Sequence, residues 1–186
     1  MDTTGLAYRS KDRTLRWKRG KEERRVRGHS RLLALMRWEE GRRLLWPFGV
    51  ASGGGYTPDG RLGREALGVF RPRGGVLLAD AGFDEVGIWG MLEGLGVRGV
   101  IRLRGGGEAK EGRRVRGREG FDGEMYRRRG VVEGVCGGLK TRMRGGYLQE
   151  RKTLTAMRRA FLELVAYGLR VFLSLLPPSE GCKAIY

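Results

Sequence analysis

The 186-residue chain has a single histidine, His29, and only two cysteines, Cys136 and Cys182. Two cysteines so far apart make neither a zinc cluster nor a disulfide framework, and both read as free thiols of a reducing cytoplasm. No leader pattern is visible, because acidic and polar residues follow Met1. Nor is there a membrane-spanning run. The longest apolar stretch, 160–176, contains Glu163 and Arg170 and reads as an amphipathic core helix. Nucleotide-binding loops are missing as well: no G-x-x-x-x-G-K-[ST] occurs, and the glycines at 87–99 lie in or after a helical pattern, not between strand and helix. Acidic residues are in deficit, 21 against 38 Lys and Arg, for a formal charge of +17.

What is present follows from that imbalance. So large a positive excess repels itself in a compact fold and is drawn to a polyanion, so nucleic acid is the leading partner. The length suits one domain with helices packed on a sheet. The expected class is α/β, with one domain over 1–176 and a tail over 177–186. A weak strand is expected at 2–9, then a charged loop over 10–28, read as a track for DNA phosphates with a merely solvated stretch as the alternative. Apolar runs at 31–38 and 42–50 around Glu-Glu-Gly predict a β-hairpin. Asp59 is placed to cap a helix reaching Phe70. Residues 75–80 form a buried-strand pattern ending in Asp80, Asp84 is placed to cap the next helix, and 98–105 is a second strand, together a βαβ unit. A loop over 105–123 precedes two helices, at 124–143 and 152–176, the second stopped by Pro177-Pro178.

The segment 126–140 (YRRRGVVEGVCGGLK) carries the chemistry. On a regular helix, Tyr126, Arg129, Glu133 and Lys140 share an arc of roughly 60°. Val132, Val135 and Leu139 fall on the opposite, core-facing side. Gly130, Gly134, Gly137 and Gly138 collect on a flank, which predicts close approach of another backbone or a nucleic-acid strand. The spacing Tyr-x2-Arg-x3-Glu-x6-Lys resembles the YREK signature of DDE-class insertion-sequence transposases, the IS-four-like and IS-five-like families. LLADAGFD (77–84) resembles the family's second motif through Asp80, Gly82 and Phe83, and MDTTGL (1–6) its first through Asp2, Thr4 and Gly5.

That resemblance covers Asp2 to about Leu176. It implies a ribonuclease H-like mixed sheet flanked by helices and a catalytic triad of Asp2, Asp80 and Glu133. The triad would hold two magnesium ions, or manganese, with Asp2 bridging them. Tyr126, Arg129 and Lys140 would contact DNA at the element's ends, and the protein would work on end and target DNA in a synaptic homodimer. In the family the first acid lies inside the opening strand and a DNA-binding region precedes it. An N-terminally truncated copy with a loosely held Asp2 is therefore expected. No Trp occurs at 105–123 to support a flipped base, which favours strand nicking and transfer over a hairpin route. Two rivals stand beside this reading: a non-catalytic basic nucleic-acid binder and an inactive transposase remnant. Locally, Asp80 has a rival role as a turn cap, and Glu133 as a surface partner of Arg129. His29 and the four tryptophans read as packing residues.

Overall fold

In the computed structural model, the described residues are 1–8, 14–18, 22–26, 28–39, 44–104, 112, 117, 119–143 and 147–176. Eight strands and five helices lie among them. β1 (Asp2–Tyr8), β4 (His29–Glu39), β5 (Leu44–Gly54) and β8 (Tyr147–Leu148) form a sheet in the order β5-β4-β1-β8. β2 (Thr14–Lys18) and β3 (Glu22–Val26) pair as a separate hairpin, and β6 (Val76–Ala79) and β7 (Arg98–Ile101) as a parallel pair. The helices are α1 (Asp59–Phe70), α2 (Val86–Gly94), α3 (Gly123–Arg127), α4 (Gly130–Arg142) and α5 (Thr153–Leu173).

β4 explains the layering. Its run Leu32-Leu33-Ala34-Leu35 is apolar without alternation, the pattern of a strand buried on both faces. Successive side chains leave a strand on opposite sides. Leu33 and Leu35 accordingly enter one core with Leu62 and Leu67 of α1, Ile88 and Leu92 of α2 and Phe83. Leu32 and Ala34 enter a second core with Leu6 of β1, Leu139 of α4 and Ala156, Ala160 and Leu164 of α5. The sheet is thus sandwiched between α1/α2 and α4/α5. β1 runs antiparallel to β4 with Asp2 opposite Ala34, so Asp2 shares the α4/α5 face while Thr3 points the other way.

The mixed α/β class, the β4–β5 hairpin and the β6–α2–β7 unit match the sequence expectations. Several details do not. Part of the expected loop at 10–28 is the β2–β3 hairpin, in which Lys18 stands opposite Glu22 and Thr14 opposite Val26. The Thr, Trp and Val in this charge-rich run have strand preference enough to pair. Asp59 does not cap α1; Pro58 is the N-cap residue, and the Asp59 carboxylate instead takes Arg31 Nη1 at 2.6 Å and Thr3 Oγ1 at 2.7 Å. Asp84 does not cap α2 either. Glu85 precedes that helix, and Asp84 is buried as the acceptor for Trp89 Nε1 (3.0 Å) and Arg104 N (2.8 Å).

Asp2 is firmly held, contrary to expectation. It is paired in β1 and buried, and the Met1 amino group ahead of it donates to Leu78 O of β6 at 2.8 Å. The first of the two expected C-terminal helices is split: the amides of Arg128 and Arg129 bond three residues back, to Met125 O and Tyr126 O, so tighter turns separate α3 from α4. α5 ends at Leu173, and the amides of Leu175 and Leu176 bond three residues back in a tighter last turn. The tail at 177–186 and most of the loop at 105–118 lie outside the described residues.

Candidate active site

The site assembles where β1 begins and β6 ends. The Met1–Leu78 hydrogen bond brings these strand termini side by side, with Asp2 and Asp80 immediately beyond it. Asp80 leaves β6 in extended conformation and takes the Gly82 amide on Oδ1 at 2.8 Å, capping the short 3-10 turn Ala81–Phe83. The cap role weighed for Asp80 is therefore real, and it leaves Oδ2 to face the site. The turn is buttressed from β7's exit: Arg104 donates to Ala81 O (3.1 Å) and Gly82 O (2.9 Å). Phe83 pins the turn into the core with no exposed surface.

α4 supplies the third acid. Val132, Cys136 and Leu139 bury one side of it, which turns Glu133 toward the strand termini. Arg129, at the α3–α4 break, then reaches across. Its Nη2 lies 2.8 Å from Glu133 Oε1, 3.3 Å from Asp2 Oδ1 and 3.8 Å from Asp80 Oδ2. One guanidinium therefore touches all three sequence-predicted acids. Glu133 does pair with Arg129 at i, i+4, but as part of this cluster and not on a detached surface.

Tyr126 belongs to the same group. Its hydroxyl is 3.4 Å from Arg129 Nη1, and the guanidinium carbon sits 5.9 Å from its ring centre. Lys140 follows on α4 two turns beyond Glu133, and no described contact joins it to the acids. The four helix glycines face open space: a Cβ on Gly130, Gly134, Gly137 or Gly138 would meet nothing within 4 Å. No other backbone packs there, so of the two occupants expected for that flank the protein chain is ruled out among the described residues.

Charge at the site is governed by burial and the carboxylates. Burial alone would lower the Arg129 pKa, but Asp2, Tyr126 and Glu133 outweigh it and raise it, so the side chain stays cationic. Its Nε is buried without an acceptor, which costs about 1–3 kcal/mol against what the carboxylate contacts of Nη2 supply. Beneath the acids, burial first and then the Asp2 carboxylate push the Cys136 thiol up to about 12. It is a neutral thiol against the site floor.

As metal ligands the acids fit in kind, being hard oxygen donors suited to magnesium or manganese. In spacing they serve Arg129: among the described residues no three His, Cys, Asp or Glu side chains are grouped to share one ion.

Sequence reasoning missed a fourth carboxylate. A Cβ on Gly82 would come within 2.6 Å of Asp59 Oδ2 and 2.9 Å of Asp80 Oδ1, so Asp59 abuts the Asp80 turn. Its link to Arg31 and Thr3 runs across strands, and no local pattern carries such a link. His29 packs as expected, with its ring wedged between Gly5 and Gly55. Trp89 is buried, while Trp38 is exposed.

No helix among the described residues is long and apolar enough to cross a membrane. No curated protein and no solved structure matches the chain. A family model described as Transposase DDE domain matches residues 49–169. That span contains Asp80, Tyr126, Arg129, Glu133 and Lys140, begins beyond Asp2, and covers more than half of the chain. The protein belongs to the transposase DDE domain family.

Proposed function

We propose that this chain cuts DNA and joins the cut strands, with Asp2, Asp80 and Glu133 as its catalytic acids. The single observation that carries the reading is that these residues, drawn from β1, the end of β6 and α4, all contact one Arg129 guanidinium. Acids of like charge repel one another, so three of them around a single cation are candidates for holding others in its place.

Phosphodiester cleavage needs an oxygen nucleophile freed of its proton, and a leaving 3′ oxygen whose charge is neutralised. What divalent ions held by the three carboxylates would supply is that charge on both oxygens. Magnesium and manganese suit the donors equally. The other residues would bind and orient the substrate. Arg129, released from the acids, would take a phosphate in its planar fork. Lys140 would hold a second phosphate further along α4, and the Tyr126 hydroxyl would steady Arg129 or donate to the strand. The open glycine flank of α4 leaves room for a DNA backbone.

A ribonuclease H-like arrangement is part of the proposal. The Met1–Leu78 bond sets β6 beside the start of β1. Continued through that contact, the β6-β7 pair would extend the β5-β4-β1-β8 sheet past the start of β1, on the side where β8 pairs with its other end. The Tyr126, Arg129, Glu133 and Lys140 spacing further supports an insertion-sequence enzyme of the YREK type, acting on element ends and target DNA.

The test is nicking of supercoiled plasmid and of end-sequence duplexes in magnesium or manganese against chelator. Glu133→Gln should remove cleavage while DNA affinity changes by less than about threefold, since Gln keeps the shape and loses only the ligand charge. Metal-dependent cleavage that survives in Glu133→Gln would sink the assignment. A wild-type chain that binds DNA but never cuts it would favour the rival reading of a basic binder.

A further inference from the structure

Arg129 is held loosely for an arginine so deep in the fold. Its side chain is 15% exposed, against 35% for Asp80 and 52% for Glu133, so the guanidinium lies inward while these two acids keep more of their surface in solvent. Its hydrogen bonds to described residues are both long, Nη2 to Asp2 Oδ1 at 3.3 Å and Nη1 to the Tyr126 hydroxyl at 3.4 Å. Glu133 at 2.8 Å and Asp80 at 3.8 Å meet the same Nη2 as ion pairs. Nε is buried and has no acceptor. An arginine that locks carboxylates in place presents its planar fork to two oxygens at once. Here one nitrogen is shared among three acids, and the fork is unused.

We propose that Arg129 is a removable occupant of the carboxylate cluster: it competes with divalent cations for Asp2, Asp80 and Glu133, and a DNA phosphate that draws it off opens the cluster to metal. The inference rests on the reading of these acids as metal ligands and adds a control on when they load. Charge sets the competition. Three carboxylates and one guanidinium leave two negative charges in excess, enough for one divalent ion. A pair of such ions has the acids to itself only if the guanidinium withdraws, since cations at contact distance repel. A phosphate is a fitting receiver. It accepts from Nε and Nη2 together across the fork, and so supplies the acceptor that Nε now lacks. Tyr126, whose ring centre is 5.9 Å from the guanidinium carbon, offers the displaced cation an aromatic face.

The consequence is a coupling between two ligands. If DNA raises metal affinity by withdrawing Arg129, metal raises DNA affinity by the same factor. Off DNA, the chain then binds divalent ions weakly. An arginine that merely positions the acids predicts the opposite sign: its removal would let like charges splay apart, and metal binding would weaken.

The test is manganese binding to the full, nuclease-treated chain at fixed ionic strength, read from the paramagnetic resonance of the free ion, with and without a short DNA duplex. Sites that persist in Glu133→Gln are discounted. Without DNA, Arg129→Ala should bind manganese about tenfold more tightly than the wild type, or better. The duplex should tighten manganese about tenfold on the wild type and less than about threefold on Arg129→Ala. Circular dichroism checks the fold of the variant. A second measurement needs only the folded wild type: in spectra of the chain with isotope-labelled arginine, the guanidinium signal missing from Arg129→Lys should move when magnesium and duplex are added together. Manganese binding that is unchanged or weaker in Arg129→Ala overturns the inference and leaves the nuclease reading standing. So does a duplex that tightens manganese equally on both proteins, or a guanidinium signal that stays put. Failure of both proteins to bind manganese at millimolar concentration, with or without duplex, overturns the inference and the nuclease reading together.

Discussion

Arg129 and Asp2 are 127 residues apart in the chain, yet Arg129 Nη2 stands 3.3 Å from Asp2 Oδ1. The same nitrogen reaches Glu133 and Asp80, so the guanidinium is the hub of the cluster. Replacing it exposes what it balances.

Arg129→Ala should destabilise the chain in chelator by about 2 kcal/mol, because it leaves three carboxylates together without a cation. If the acids are metal ligands, manganese should recover most of the loss, since the ion supplies the missing charge. Thermal melts of both proteins with and without manganese read this. An equal deficit in the two conditions would mean that the cluster holds no ion.

Gly82→Ala probes the Asp80 turn. The new methyl would meet Asp59 Oδ2 at 2.6 Å and Asp80 Oδ1 at 2.9 Å, so one or both carboxylates must swing aside. Stability should fall by only about 1 kcal/mol, since the obstructing atoms end movable side chains. Cleavage should fall at least tenfold, because sub-ångström placement governs such chemistry. Unchanged turnover would show that Asp80 Oδ1 is free to move without consequence.

Asp84 holds two donors from separate elements, Trp89 Nε1 and Arg104 N. Asp84→Ala strands both in a buried place and should cost about 3 kcal/mol. Asp84→Asn keeps one acceptor and should lose less. Denaturant melts giving the two variants equal stability would argue that packing, and not the carboxylate, secures the turn.

Cys136 should resist thiol reagents in the native protein. Burial and Asp2 hold its pKa at about 12, and the thiolate is the reactive form. In a Cys182→Ser chain, labelling at mild alkaline pH should wait on unfolding. The sign of the linkage follows. Between the ordinary value of 9.0 and about 12 the unfolded chain has lost a proton that the native state keeps, so folding should weaken as pH rises through that window. Rapid labelling without denaturant contradicts this.

Lys140→Ala should weaken DNA binding about equally for all sequences and lower the log–log salt slope by about one, the signature of one lost phosphate contact. Melting should change little, as Lys140 is not among the buried residues of α4. A binding curve unchanged at every salt concentration would remove Lys140 from the interface.

The period of the apolar residues was enough to read the β4–β5 hairpin, the β6–α2–β7 unit and the buried side of α4, since strand and helix repeats are local properties. The hairpin at Thr14–Val26 was obscured because charge dominated its composition. Asp59 and Asp84 were misread for a different reason. Each stands where a helix cap is expected, but other donors compete for the carboxylate. Arg31 and Thr3 take Asp59; Trp89 and Arg104 take Asp84. The single helix expected at 124–143 broke at Arg128–Arg129, and that break is where Arg129 turns toward β1.

Residue type and short spacing were enough for the mixed α/β class, the excess of positive charge and the motif residues Asp80, Tyr126, Arg129, Glu133 and Lys140 that the matched family span contains. The packing of distant segments is what brings Arg129 within reach of Asp2, Asp80 and Glu133 and leaves one face of α5 apolar and exposed. Such relations are set by which distant segments pack together, and a one-dimensional pattern contains no distance between residues that lie 127 positions apart.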